Sequence, residues 1–212
     1  MDRSKTAFQV AENLLQIKAI KLNPANPFTW ASGWRSPIYC DNRRILSFPE
    51  VRDGVAAAFA ELIAELYPQA QTIAGVATGA IAHGVLAADR LQKPFIYVRS
   101  SPKSHGLANQ IEGSYEKGAK VVVVEDLIST GGSSLSAVEA LRDAGCEVLG
   151  MVAIFTYGFD VAVKNFEAAG VKLDTLSNYP TLIELAAKQG YVTQNQIETL
   201  GDWRCDPSNW MK

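Results

Sequence analysis

Residues 121–124 are four consecutive valines, and they run straight into Glu125, Asp126 and the stretch LISTGGSS. A strand that is apolar at every position must be covered on both faces, which is the property of strands in parallel sheets. Other strand-like stretches fall at 72–76, 94–99, 147–155 and 171–176. Helical periods separate them, at 50–66, 79–91, 133–144 and 161–169. This alternation predicts an α/β fold with a mainly parallel central sheet flanked by helices. Pro49 suits the first turn of its helix, and Gly145 the left-handed residue that closes another. A helix is expected over 5–20 before the alternation, and late helices over 180–188 and 194–200. Residues 22–48, with prolines and two tryptophans but no helical period, read as turns and short strands.

The totals narrow the function classes. Hydrophobic residues make up 48 % of 212, enough for a substantial core, and the length suits one domain with additions or two small ones. Lys and Arg number 20 against 22 Asp and Glu, a formal charge of -2, so no basic surface points to nucleic acid. Cys40, Cys146 and Cys205 are scattered, without the close spacing of a zinc site or disulfide framework. The first residues lack a secretory pattern, and no apolar run approaches the ~20 residues that span a bilayer. A soluble, cytoplasmic protein without a membrane partner is expected.

Ligands of parallel α/β sheets bind beyond the carboxyl ends of the strands, which is where the acids and the glycine-hydroxyl stretch fall. Leu127, Ile128, Ser129, Thr130, Gly131, Gly132 and Ser133 lead into a helix N-terminus, where converging amides and partial positive charge favour an anion. Glu125 and Asp126 would repel a phosphate, so they suit the neighbouring hydroxyls of the same ligand, a ribose diol above all, or a Mg²⁺ ion. Together these residues predict a phosphorylated-sugar site. No Walker loop or dinucleotide-binding glycine pattern is present. Residues 100–119 form a long connection without periodicity, expected as a mobile loop, with Arg99, Lys103 and His105 at its start. His83, in an alanine-rich helix, reads as a packing or surface residue, and the four tryptophans as core or dimer contacts.

VVVVEDLISTGGS resembles the phosphoribosyl-pyrophosphate (PRPP) signature of type I phosphoribosyltransferases. FTWASGWRSPIYCDNR, YVRSSPKSHG and IFTYGF together resemble orotate phosphoribosyltransferases of the form common in Gram-positive bacteria. The resemblance extends over nearly the whole chain. It implies the type I fold with an N-terminal hood over about 22–48, and transfer of ribose 5-phosphate from PRPP to N1 of orotate in pyrimidine biosynthesis. It implies Mg²⁺ bound mainly through PRPP, and a cytoplasmic homodimer whose catalytic loop crosses to the partner's site. By the same resemblance, Arg99, Lys103 and His105 meet the pyrophosphate, Glu125 and Asp126 the ribose, and residues 127–133 the 5′-phosphate. Lys103, Arg99, His105 and Asp126 are the expected catalytic set. Ser129, Tyr39 and Cys40 are expected at orotate.

Four family cations are replaced here, by Ala31, Gly79, Ser100 and Tyr157. Arg35 and Arg43 are candidate replacements or hood salt bridges. A transferase for another base and a non-catalytic PRPP sensor are the competing readings. The hood and SSPKSHG favour orotate, and leaving-group cations argue against a mere sensor.

Overall fold

The computed structural model describes residues 1–101 and 110–211. Its centre is a six-stranded sheet in the order β10-β9-β8-β5-β6-β7. The strands are β5 (Thr72–Val76), β6 (Phe95–Val98), β7 (Ile111–Glu112), β8 (Lys120–Ile128), β9 (Glu147–Thr156) and β10 (Leu173–Asn178). All neighbours are parallel except β6 and β7.

The valine run explains the layering. Successive strand residues point to opposite faces. Val122 and Val124 enter a core with α1 (Arg3–Gln16), α2 (Pro49–Leu66) and α3 (Ile81–Leu91). Val121 and Val123 enter a second core with α4 (Gly132–Asp143) and α5 (Asp160–Ala168). None of the four valines is exposed to solvent. Helices α6 (Tyr179–Lys188) and α7 (Gln194–Cys205) complete the first layer.

Most expected elements are present, with four differences of physical origin. Strand β8 does not stop at the acids but continues to Ile128, because β9 pairs with it as far as Ile128 and Thr156. On its other side the ladder with β5 ends earlier, at Gly75 and Val124. The first helix ends at Gln16 rather than Ile20, since Lys18 is left-handed and Ile20–Leu22 (β1) pairs with Ile38–Cys40 (β4). The second half of the expected 100–119 loop is ordered: Ile111 and Glu112 pair with Val98 and Tyr97, and Ile111 is buried. Finally, α7 runs five residues past Leu200, opened by a Thr193–Gln196 capping box and anchored by the fully buried Trp203. Among the described residues, no helix is long and apolar enough to cross a membrane.

The hood is built from β1, β4, the β2 (Phe28–Thr29)–β3 (Arg35–Ser36) hairpin and a 3₁₀ turn over Asn42–Ser47. Two indole N–H groups fasten it: Trp30 Nε1 donates to the Ile38 carbonyl (3.1 Å) and Trp203 Nε1 to the Arg35 carbonyl (3.2 Å).

Two helical glycines should respond in opposite directions to alanine. Alanine normally gains about 0.5–1 kcal/mol over glycine inside a helix. At Gly54 in α2 a Cβ meets nothing within 4 Å, so Gly54→Ala should stabilise by that amount. At Gly84 in α3 the Cβ would lie 2.7 Å from the Phe95 ring, so Gly84→Ala should instead cost about 1–3 kcal/mol through overpacking. Urea unfolding of both variants checks the sign.

Candidate active site

The expected anion cradle falls on the turn between β8 and α4. Gly131 is its N-terminal flanking residue with φ +83°, and an added Cβ would lie 2.7 Å from the Phe166 ring. Both facts require glycine there. Asn165 Nδ2 on α5 donates to the Thr130 carbonyl (2.9 Å), fixing the turn from the side. Gly131 offers no side-chain cap, so the first-turn amides of α4 are left for a ligand. Gly132 and Ser133 are exposed, and Ser129 and Thr130 partly so.

The two acids behave differently. Glu125 is buried, and its carboxylate accepts from the Asp126 backbone N–H (2.9 Å) and the Ser134 hydroxyl (2.8 Å). Burial, reinforced by the Asp126 charge, pushes its pKa up to about 8. It therefore sits in the floor of the cleft, held as a protonated or shared-proton group near neutrality. Asp126 is half-buried and faces Gly79, where any Cβ would run into its carboxylate. The glycine at 79 is thus a requirement of this Asp126 position. These residues line a cleft of about 430 Å³ with Ala77, Thr78, Ser133, Cys40, Asp41 and Arg43.

A second cavity of about 390 Å³ adjoins it, lined by Thr29, Trp30, Ala31, Tyr39, Cys40, Leu127, Ser129 and Tyr157. Cys40 and Leu127 line both spaces. The cavity brings together Tyr39, Cys40 and Ser129. The aromatic walls are less legible in sequence: Trp30 and Tyr157 face each other at 5.1 Å between ring centroids, and Trp203 meets both edge-on at 5.7 Å. Arg204 beside it donates to the Tyr157 and Gly158 carbonyls (3.1 and 3.0 Å). The C-terminal helix thereby holds the pocket from behind, a role that the sequence of the tail does not suggest. Burial raises the pKa of Tyr157 well above the ordinary phenol range, so this wall is neutral.

The cations are distributed unevenly. Lys103 and His105 lie outside the described residues. Arg99 stands at the end of β6, 3.7 Å from Glu112, and its backbone N–H bonds to Gln110. Arg43 is held bidentately by Asp41 (2.6 and 3.0 Å), and Arg35 donates to the Thr29 hydroxyl (3.3 Å). Both hood arginines thus have structural partners. His83 is buried beneath the cleft, where desolvation lowers its pKa against the pull of Asp126 and the Asn42 backbone. It is a packed residue rather than a surface one.

A mainly parallel sheet with a hood, and a glycine turn leading from its central strand β8 into α4, is the architecture of the phosphoribosyltransferase class. The phosphoribosyl transferase domain model matches residues 41–178. The orotate phosphoribosyltransferase of Bacteroides thetaiotaomicron is 61 % identical over 94 % of both chains, and that of Listeria monocytogenes 55 % identical over 96 % of this chain and 98 % of its own. The crystal structure of orotate phosphoribosyltransferase from Aeropyrum pernix superposes with TM-score 0.76 at 31 % identity, over 87 % of this chain and 99 % of that one. The chain belongs to the orotate phosphoribosyltransferase family.

The burial of Glu125 predicts a pH signature. Its folded pKa lies above the usual 4.5, so its contribution to stability is fully present below that value and is lost as pH rises through about 8. Glu125→Gln keeps the shape, accepts from Asp126 and can donate to Ser134, without ionising. Between about pH 5 and 8.5 the wild-type Tm should therefore fall relative to the variant's, by several degrees at about 2–4 °C per kcal/mol. Parallel Tm curves would contradict the burial argument.

Proposed function

We propose that the chain transfers the ribose 5-phosphate group of PRPP to N1 of orotate, giving orotidine 5′-monophosphate and pyrophosphate, in de novo pyrimidine (UMP) biosynthesis. The observation that carries this reading is the pair of adjoining cavities, one polar beside an anion cradle and one walled by aromatics, with Cys40 and Leu127 common to both. A planar base in the second space reaches toward a sugar in the first. The membership of the family and the names of its relatives support orotate as that base.

The residues divide the work. The amides and hydroxyls of residues 129–133 hold the 5′-phosphate, and Leu127 and Ile128 set the strand that carries them. Asp126 accepts the ribose hydroxyls, with Glu125 bracing it from below through its backbone N–H. Positive charge develops on the ribose ring as the C1′–O bond breaks, and the departing pyrophosphate gains negative charge. Arg99, Lys103 and His105 meet that charge when the loop closes, and closure excludes water. Trp30, Tyr39 and Tyr157 enclose the base, while Ser129 and backbone groups of the hood orient it.

No group of three or more His, Cys, Asp or Glu able to hold a metal occurs among the described residues. Asp126, half-buried in the cleft, would suit a Mg²⁺ ion that took most of its oxygen ligands from PRPP and water. Bound there, Mg²⁺ would supply charge neutralisation at the pyrophosphate. We further read the chain as a single unit over residues 1–212, acting in the cytoplasm as a homodimer in which the loop of each subunit serves its partner.

Loss of orotate absorbance in the presence of PRPP and Mg²⁺ tests the reaction, and turnover of a purine but not of orotate would overturn it. Asp126→Asn should lower kcat/KM by about 10²-fold or more with little change in Tm. Mixing inactive Lys103→Ala and Asp126→Ala subunits should restore part of the activity if loops are shared. Persistent inactivity after confirmed exchange would argue that each chain completes its own site.

A further inference from the structure

Asn42 joins the two cavities without lining either. It is fully buried at the start of the 3₁₀ turn that follows the hood strand β4. Its Oδ1 accepts the Cys40 thiol (3.3 Å), and its Nδ2 donates to the Asp126 carbonyl (2.5 Å). One side-chain amide is thereby used at both ends, on the hood residue that faces base and sugar and on the acid of the sugar cleft. Its backbone also borders the buried His83 of α3. The position has a structural origin. The ladder between β5 and β8 ends at Gly75 and Val124, so the Asp126 carbonyl two residues further on is met by Asn42 rather than by a strand.

We infer that Asn42 is a positioning residue that sets the base pocket and the ribose-phosphate cleft at one distance and angle. The inference rests on the two-cavity reading given above. Its consequence is specific to ligands that occupy both spaces. A ligand that joins two fragments gains from their connection only when the two subsites are held in matching geometry. A fragment alone tolerates a small shift of the other subsite.

The test compares three probes by calorimetry: ribose 5-phosphate, orotate, and orotidine 5′-monophosphate, which spans both spaces. In Asn42→Ala, orotidine 5′-monophosphate should bind at least about tenfold more weakly, while each fragment changes by less than about threefold. The kcat should fall together with that joint affinity. Asn42→Ser, which keeps a polar group but cannot span both partners, should show the same split if the alanine variant proves too unstable to purify. Equal losses for all three probes would reduce Asn42 to a general structural residue, and unchanged binding of orotidine 5′-monophosphate would remove the coupling; either overturns the inference. Failure of the wild-type protein to bind either fragment would overturn the two-cavity reading and this inference with it.

Discussion

The arrangement of the site follows from a sheet that ends unevenly. Strand β8 is paired with β9 to Ile128, but with β5 only to Val124. The last four residues of the strand are therefore an overhang, rigid on one side and open on the other. Glu125 and Asp126 stand on that overhang, and the glycine turn into α4 begins directly after it. A strand that ended evenly would leave the acids in a loose turn. Here the β9 ladder fixes the backbone, while the missing β5 partner leaves room for a ligand and for the hood to approach.

Two adjacent carboxylates present an electrostatic conflict, and burial resolves much of it. Glu125 is enclosed and hydrogen-bonded, with its pKa raised to about 8, so it contributes less negative charge than its formula suggests. Asp126 remains the group open to the cleft, pressed against Gly79. The Arg43 charge beside them is matched by Asp41. On the base side, the walls are neutral aromatics braced by Trp203 and by Arg204, whose guanidinium is bound to two backbone carbonyls. The pocket thus depends on shape and main-chain polarity more than on formal charge.

Much of this was legible in the chain because local signals and tertiary structure agree. The valine run, the glycine turn and the helix after it each carry their own periodicity or turn chemistry, and they place the cradle without knowledge of the fold. The grouping of Tyr39, Cys40 and Ser129 followed from motif resemblance, since nothing local links positions so far apart. What could not be read is non-local. The end of β8 depends on which neighbour continues beside it, and the role of Trp203 on a hood more than 160 residues away in sequence, contacted at Arg35. The inward turn of Glu125 depends on Ser134, a helix residue that carries no signal beyond its small size. Asn42 gave none either, because an asparagine after an aspartate reads as turn chemistry and not as a bridge.

The central claim is that the overhang of β8 and the turn after it recognise a phosphorylated ribose. The most direct measurement is a crystal structure of the protein soaked with ribose 5-phosphate. The phosphate should lie against the main-chain amides of residues 130–133, with the ribose hydroxyls turned toward Asp126. A well-ordered ligand bound elsewhere, with that turn empty, would contradict it.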